Sequence, residues 1–174
     1  MSHRADSAVP PAAGAGWLAL AGWLAVSLAA GGAGGVASAS AGDFYGQLAR
    51  PGWAPPSWLF GPVWTLLYVL MGIAAWLVWR ERNAADAPAR RLGLTLFVTQ
   101  LILNALWTWL FFRWRLGGWA FAELVLLTLL VAATAAAFFR VRRIAGWLLV
   151  PYLAWLSYAG ALNWAVWRSN PGLL

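Results

Sequence analysis

Between Arg50 and Arg80 the chain reads Pro51-Gly52-Trp53-Ala54-Pro55-Pro56-Ser57-Trp58-Leu59-Phe60-Gly61-Pro62-Val63-Trp64-Thr65-Leu66-Leu67-Tyr68-Val69-Leu70-Met71-Gly72-Ile73-Ala74-Ala75-Trp76-Leu77-Val78-Trp79. None of these 29 residues is charged, and the run divides in two. Prolines crowd its first part and rule out a continuous helix there. From Phe60 onward apolar residues continue to Trp79, and about 20 such residues cross the hydrocarbon core of a bilayer as a helix. The reading is a transmembrane helix over 60–80, entered through an irregular aromatic segment.

Outward from this stretch the pattern repeats. Uncharged runs cover 7–42, 92–112, 124–139 and 144–167, and the run from 124 extends back to 116 once Glu123 is placed inside the membrane. The expectation is an all-α membrane protein, a five-helix bundle with spans at 15–39, 60–80, 92–112, 119–139 and 144–167. Together they make one domain over 15–170, with tails at 1–14 and 171–174. Composition agrees: of 174 residues 63% are hydrophobic and 10% charged, too few charges to cover a water-soluble globule. Arg4 and the triplet Ala37-Ser38-Ala39 resemble parts of a cleavable signal peptide. The apolar stretch from Trp17 is longer than a signal core and carries two tryptophans, so it is read as a retained first helix. Pro151, inside the fifth span, frees a carbonyl one turn earlier and is expected to kink it.

Several function classes fall away. Cysteine is absent and His3 is the lone histidine, so thiolate sites and an imidazole-held haem or zinc at membrane depth are excluded. No P-loop, HExxH, nucleophile elbow or paired-carboxylate site is present. The basic residues are all arginine and sit between apolar runs, which points to lipid headgroups as the partner and away from nucleic acid. Arg4, Arg80, Arg82, Arg90, Arg91, Arg140, Arg142 and Arg143 fall on one side of five spans, and Arg50, Arg113, Arg115 and Arg168 on the other. That bias puts the N-terminus in the cytoplasm and the first loop outside.

The segment from Asp43 to Pro62 is expected to lack continuous helix and to act as a structured lid, with Arg50, Pro51, Trp53, Pro55, Pro56 and Trp58 in it. Its aromatics suit an interface or a cavity mouth. Helical periodicity then sorts the spans into stripes: Phe60, Trp64 and Tyr68; Gln100, Asn104, Trp107 and Phe111; Trp119 with Glu123; Tyr152, Trp155, Ala159 and Leu162. Fifteen tryptophans exceed what interfacial belts need. A bundle lined with indoles suits a flat apolar guest, oriented by Asn104, Gln100, Tyr68 and Tyr152. Packing alone also produces such stripes. Glu123 is a functional candidate because an intramembrane acid is costly, or it makes an interhelical hydrogen bond. Gly31 and Gly35 form a GxxxG that serves internal packing or a dimer.

Arg50-Pro51-Gly52-Trp53-Ala54-Pro55-Pro56-Ser57-Trp58, Gly61-Pro62-Val63-Trp64-Thr65-Leu66-Leu67-Tyr68, Leu103-Asn104-Ala105-Leu106-Trp107 with Phe111-Phe112, and Pro151-Tyr152-Leu153-Ala154-Trp155 with Leu162-Asn163 and Trp167-Arg168 together resemble the TspO/MBR family over about residues 15–170. That resemblance implies a five-helix bundle, a homodimer, and a pocket under the first loop that takes porphyrins of the protoporphyrin IX type, haem, sterols or synthetic drug-like ligands. It places the family's pocket tryptophans, implicated in light-dependent porphyrin breakdown, on Trp64 and Trp155. Tyr68, Asn104, Trp107, Trp119, Ala159 and Leu162 match other positions in or beside that pocket. Trp164 stands where the family's sterol-recognition segment has tyrosine, which argues against sterol. The lysine-free, Ala/Arg-rich composition suggests a bacterial cell membrane. The function implied is a porphyrin-binding sensor or regulator that requires no cofactor, with porphyrin or haem as its ligand. Photo-oxidative breakdown through Trp64 and Trp155 is the enzymatic alternative, and transport of porphyrin or sterol-like amphipaths is the other.

Overall fold

A computed structural model describes residues 13–38 and 41–174. Expectations that rest on residues 1–12, including His3 and Arg4, and on Ala39 lie outside the described residues. Among the described residues six α-helices follow in order: α1 (Ala13–Ala37), α2 (Ala41–Gln47), α3 (Phe60–Trp79), α4 (Ala87–Thr108), α5 (Gly117–Val141) and α6 (Arg143–Ser169). All but α2 belong to segments long and apolar enough to cross a membrane. With lipid unable to pair a free backbone amide, helix is the natural form for such runs. The five spans close a ring, each packed on the next in the order α1, α3, α6, α5, α4 and back to α1.

Met71, Phe97, Leu127, Phe138, Leu149 and Tyr152 are fully buried at the centre of the ring. Hydroxyls inside the spans bond the carbonyl one turn back: Thr65 to Gly61, Thr128 to Leu124, Thr134 to Leu130 and Ser157 to Leu153. No hydroxyl of this set faces lipid without a partner, which matters where water is absent. A second cluster caps one end of the bundle, where Phe44, Tyr45 and Leu48 meet Phe111, Leu162 and Val166.

Three local features differ from the reading of the sequence. The loop expected to lack helix opens with α2, because its prolines begin only at Pro51 and because Phe44, Tyr45 and Leu48 share one face that the second cluster buries. The third span begins at Ala87, not 92: Pro88 suits a first helical turn, and Arg90 and Arg91 sit on the helix instead of bounding it. At the other end α4 widens into a π-type turn over Trp109–Arg113, with the Trp114 N–H donating to the Trp109 carbonyl at 2.8 Å, and Arg115 follows in the left-handed region at φ 57°. Extra-wide turns of this kind often mark functional sites. This one divides two neighbours, leaving Phe111 buried in the second cluster and Phe112 facing a cavity.

Candidate functional site

The cavity lies below α2, among the second half of α1, the first turns of α3 and the end of α4, and has a volume of about 590 Å³. One wall is aromatic. Phe60, Trp64 and Tyr68 present their i, i+4, i+8 stripe from α3, and Asn104, Trp107 and Phe112 close it from α4 and its wide turn. The opposite wall is α1, which contributes Leu28, Gly31, Gly32, Gly34 and Gly35, so backbone forms the surface. Tyr45 and Trp58 form the roof. Among the described residues no charged side chain lines it.

A polar chain runs from the floor into the bundle. The Tyr68 hydroxyl donates to Asn104 Oδ1 in a short contact, and Asn104 Nδ2 donates to the Tyr152 hydroxyl at 2.7 Å. Asn104 therefore joins α3, α4 and α6 through one amide, and its second N–H is not committed to any described partner. Trp107 is held similarly. Its Nε1 donates to Asn163 Oδ1 at 3.2 Å, while Asn163 Nδ2 donates to the Gly117 carbonyl at 3.1 Å. Each of these bonds leaves a polar atom satisfied away from water, where an unmade bond costs about 1–3 kcal/mol.

Behind the aromatic wall stands Trp155. Its ring meets Trp64 edge to face at 6.5 Å and 87°, and Phe60 at 5.9 Å and 74°. Its Nε1 is buried with no described hydrogen-bond partner. Trp155 therefore backs the cavity wall through Trp64, and no slot separates the two indoles. Tyr152 lies deeper, fully buried, with its ring 6.0 Å from Trp64. Neither forms the cavity surface. Ala159 packs half-buried against the central core and Leu162 lies in the second cluster.

Trp119 is placed elsewhere altogether. It is 72% exposed, whereas Glu123, one turn on, is buried with both carboxylate oxygens unpartnered among the described residues. In the first turn of α5 the inward face is held by Gly117 and Ala120, both buried, which leaves the Trp119 indole outside, whereas Glu123 a turn later faces inward.

The lid is fastened. Asn170 Oδ1 accepts the Ala49 N–H at 2.9 Å and Asn170 Nδ2 donates to the Ala49 carbonyl at 2.9 Å. Tyr158 donates to the Trp53 carbonyl at 3.0 Å, and Tyr45 to the Pro55 carbonyl at 3.3 Å. Arg50 covers the Tyr45 ring at 4.6 Å and Arg115 the Phe44 ring at 4.7 Å, contacts that attract a cation to the ring face. Burial pushes the Tyr45 phenol up, partly offset by Arg50. Of the expected lid residues, Trp58 reaches the cavity, Trp53 packs on Tyr158, and Arg50, Pro51, Pro55 and Pro56 line a separate shallow recess with Leu48 and Ala54.

Sequence patterns missed the α1 wall, Thr65, Thr108 and Asn170. Gly31 and Gly35 carried a signal, since their spacing stood out, but it pointed to helix packing. Asn170 carried none.

A model of the TspO/MBR family matches residues 23–168. The chain belongs to the TspO/MBR family. It is 43% identical over 129 residues to the human translocator protein, covering 74% of this chain and 76% of that one. It is 44% identical over 134 residues to protein CrtK of Rhodobacter capsulatus, covering 76% and 82%. It is 39% identical over 128 residues to the tryptophan-rich sensory protein of Cereibacter sphaeroides, covering 74% and 77%. The match runs from Trp23 in α1 to Arg168 in α6, and every residue that lines the cavity, from Leu28 to Phe112, falls within it. TspO/MBR membership and five apolar helices make this an integral, multi-pass membrane protein.

Proposed function

We propose that this protein binds a planar tetrapyrrole of the protoporphyrin IX type inside the membrane and acts as a sensor or regulator of porphyrin metabolism. One observation carries the reading: the uncharged cavity of about 590 Å³ with Phe60, Trp64 and Trp107 on one side and bare glycine backbone on the other. That volume falls within the range of about 300–1,000 Å³ typical of small-molecule sites. A flat guest can stack on indole and lie against a helix that has no side chains in the way. Asn104 offers its remaining N–H to orient it. The sensory role is supported by the name of the Cereibacter relative. The arginine distribution supports a cytoplasmic N-terminus in a bacterial cell membrane, and the resemblance supports a homodimer.

The test is a titration of purified protein with protoporphyrin IX, haem and cholesterol, read by quenching of tryptophan fluorescence. Protoporphyrin IX should quench most, and Trp64→Ala should weaken binding by tenfold or more. Undiminished binding in that variant removes this cavity as the site.

A second reading, breakdown of the bound porphyrin under light and oxygen, is favoured by the edge contact between Trp64 and Trp155. Light excites the porphyrin, which takes an electron from Trp64 and hands it to oxygen as superoxide. Trp155 refills Trp64, and the hole on the indole pair returns to the ring as superoxide adds to it, so that dioxygen is the net oxidant. Trp155→Phe should slow the light-driven loss of porphyrin absorbance while binding holds; equal loss of both leaves binding alone.

A further inference from the structure

The cavity is sealed on three sides and open on one. On the α4 side α1 fits closely: a Cβ on Gly34 would meet Thr108 Oγ1 at 3.0 Å, and Trp109 Nε1 donates to the Ala33 carbonyl at 3.2 Å. Toward its start α1 also closes on α3, where the Trp76 indole donates to the Gly16 carbonyl at 2.9 Å and Gly72 admits Leu24. Overhead, Asn170 and Tyr158 hold the lid down. Between the last turns of α1 and the first two turns of α3 the seal fails. Cβ atoms added at Gly32, Gly35 or Gly61 would meet nothing within 4 Å, and Leu28, Gly32, Gly35, Gly61 and Thr65 are exposed although they line the cavity.

That opening lies along the membrane-spanning parts of both helices. Leu28 is nine residues before the end of α1, which at 1.5 Å per residue takes the gap about 14 Å down the helix, nearly half of a hydrocarbon core of about 30 Å. We infer that the gap between α1 and α3 is a lateral portal, through which a guest dissolved in one leaflet of the bilayer enters the cavity without passing the lid. The inference rests on the proposed tetrapyrrole site and adds the source of the ligand: lipid, not water. It also selects the chemistry. With no charged side chain on the described lining, the portal favours flat apolar bodies. The polar edge of an amphipath is left toward the lid, where Arg50 stacks on Tyr45.

Full-length protein in phosphatidylcholine vesicles, mixed rapidly with vesicles carrying protoporphyrin IX, gives entry and exit rates from tryptophan quenching. Entry should scale with the mole fraction of porphyrin in the bilayer. Gly32→Leu and, separately, Gly35→Leu place a side chain in the gap, and each should slow entry and exit together by tenfold or more. Asn170→Ala, which releases the lid, should leave both rates within twofold. Loss of affinity with an unchanged entry rate makes these glycines wall only and overturns the portal. Faster entry in Asn170→Ala, with none of the slowing in the glycine variants, puts the route under the lid and overturns it as well. If the unaltered protein shows no quenching at equilibrium, the tetrapyrrole site falls first and the portal with it.

Discussion

The two halves of α1 lean on the same helix in opposite ways. Its first half is pressed onto α3, and the glycine that permits this lies on the partner: a Cβ on Gly72 would meet Leu24 Cα at 3.0 Å and the Trp23 carbonyl at 3.2 Å. Its second half carries the glycines itself, yet Gly32 and Gly35 have no neighbour to approach. Gly31 lies between the regimes, with the Tyr68 ring occupying the place of its missing side chain. Glycine in a membrane helix thus serves two ends. Small residues let helices touch, and where the partner's side chains point away they leave a smooth wall for something that is not protein.

The sharpest way to break this comparison is Gly72→Leu. Backbone cannot yield as a side-chain tip does, so the variant should lose about 3 kcal/mol of stability, seen as a lower thermal midpoint in detergent; an unmoved midpoint means that α1 does not depend on this contact. Asn104→Leu comes next. Tyr68 loses its acceptor and Tyr152 its donor, a loss of about 1–2 kcal/mol, with weaker protoporphyrin IX quenching alongside. Asn170→Ala should cost about 1 kcal/mol, concentrated in the lid, and hydrogen exchange at the Ala49 amide should quicken while exchange in α5 holds steady. Smallest is Gly32→Ala: with open space around its Cβ, better helix propensity should raise stability by up to about 1 kcal/mol. A fall in stability there would mean that the wall is packed after all.

The five spans were legible because charge marks their ends and lipid leaves a backbone no alternative to helix. The stripe of Phe60, Trp64 and Tyr68 was legible by its period, and all three line the cavity. The period did not say what a stripe faces. Tyr152, Trp155, Ala159 and Leu162 follow the same rule on α6 and turn to packing, because the space before them is filled by Trp64, Phe60 and the two cores. Trp119 and Glu123 share a stripe and part company in burial. The seven-residue α2 was too short to show a period, and only the cluster beneath it explains why it holds.

By itself the chain of residues determined an all-helical, five-span membrane protein with an aromatic loop after the first span, and it singled out Phe60, Trp64, Tyr68, Asn104 and Trp107 among the side chains that wall a cavity. Those properties depend on residue type and spacing along one helix, which can be counted. Which α6 residues retreat behind the wall, how Asn170 ties down the lid, and that Gly32 and Gly35 of α1 face empty space were decided only when the helices met. An absent side chain means contact or cavity according to the helix opposite it, and that helix is chosen by the packing of the whole ring.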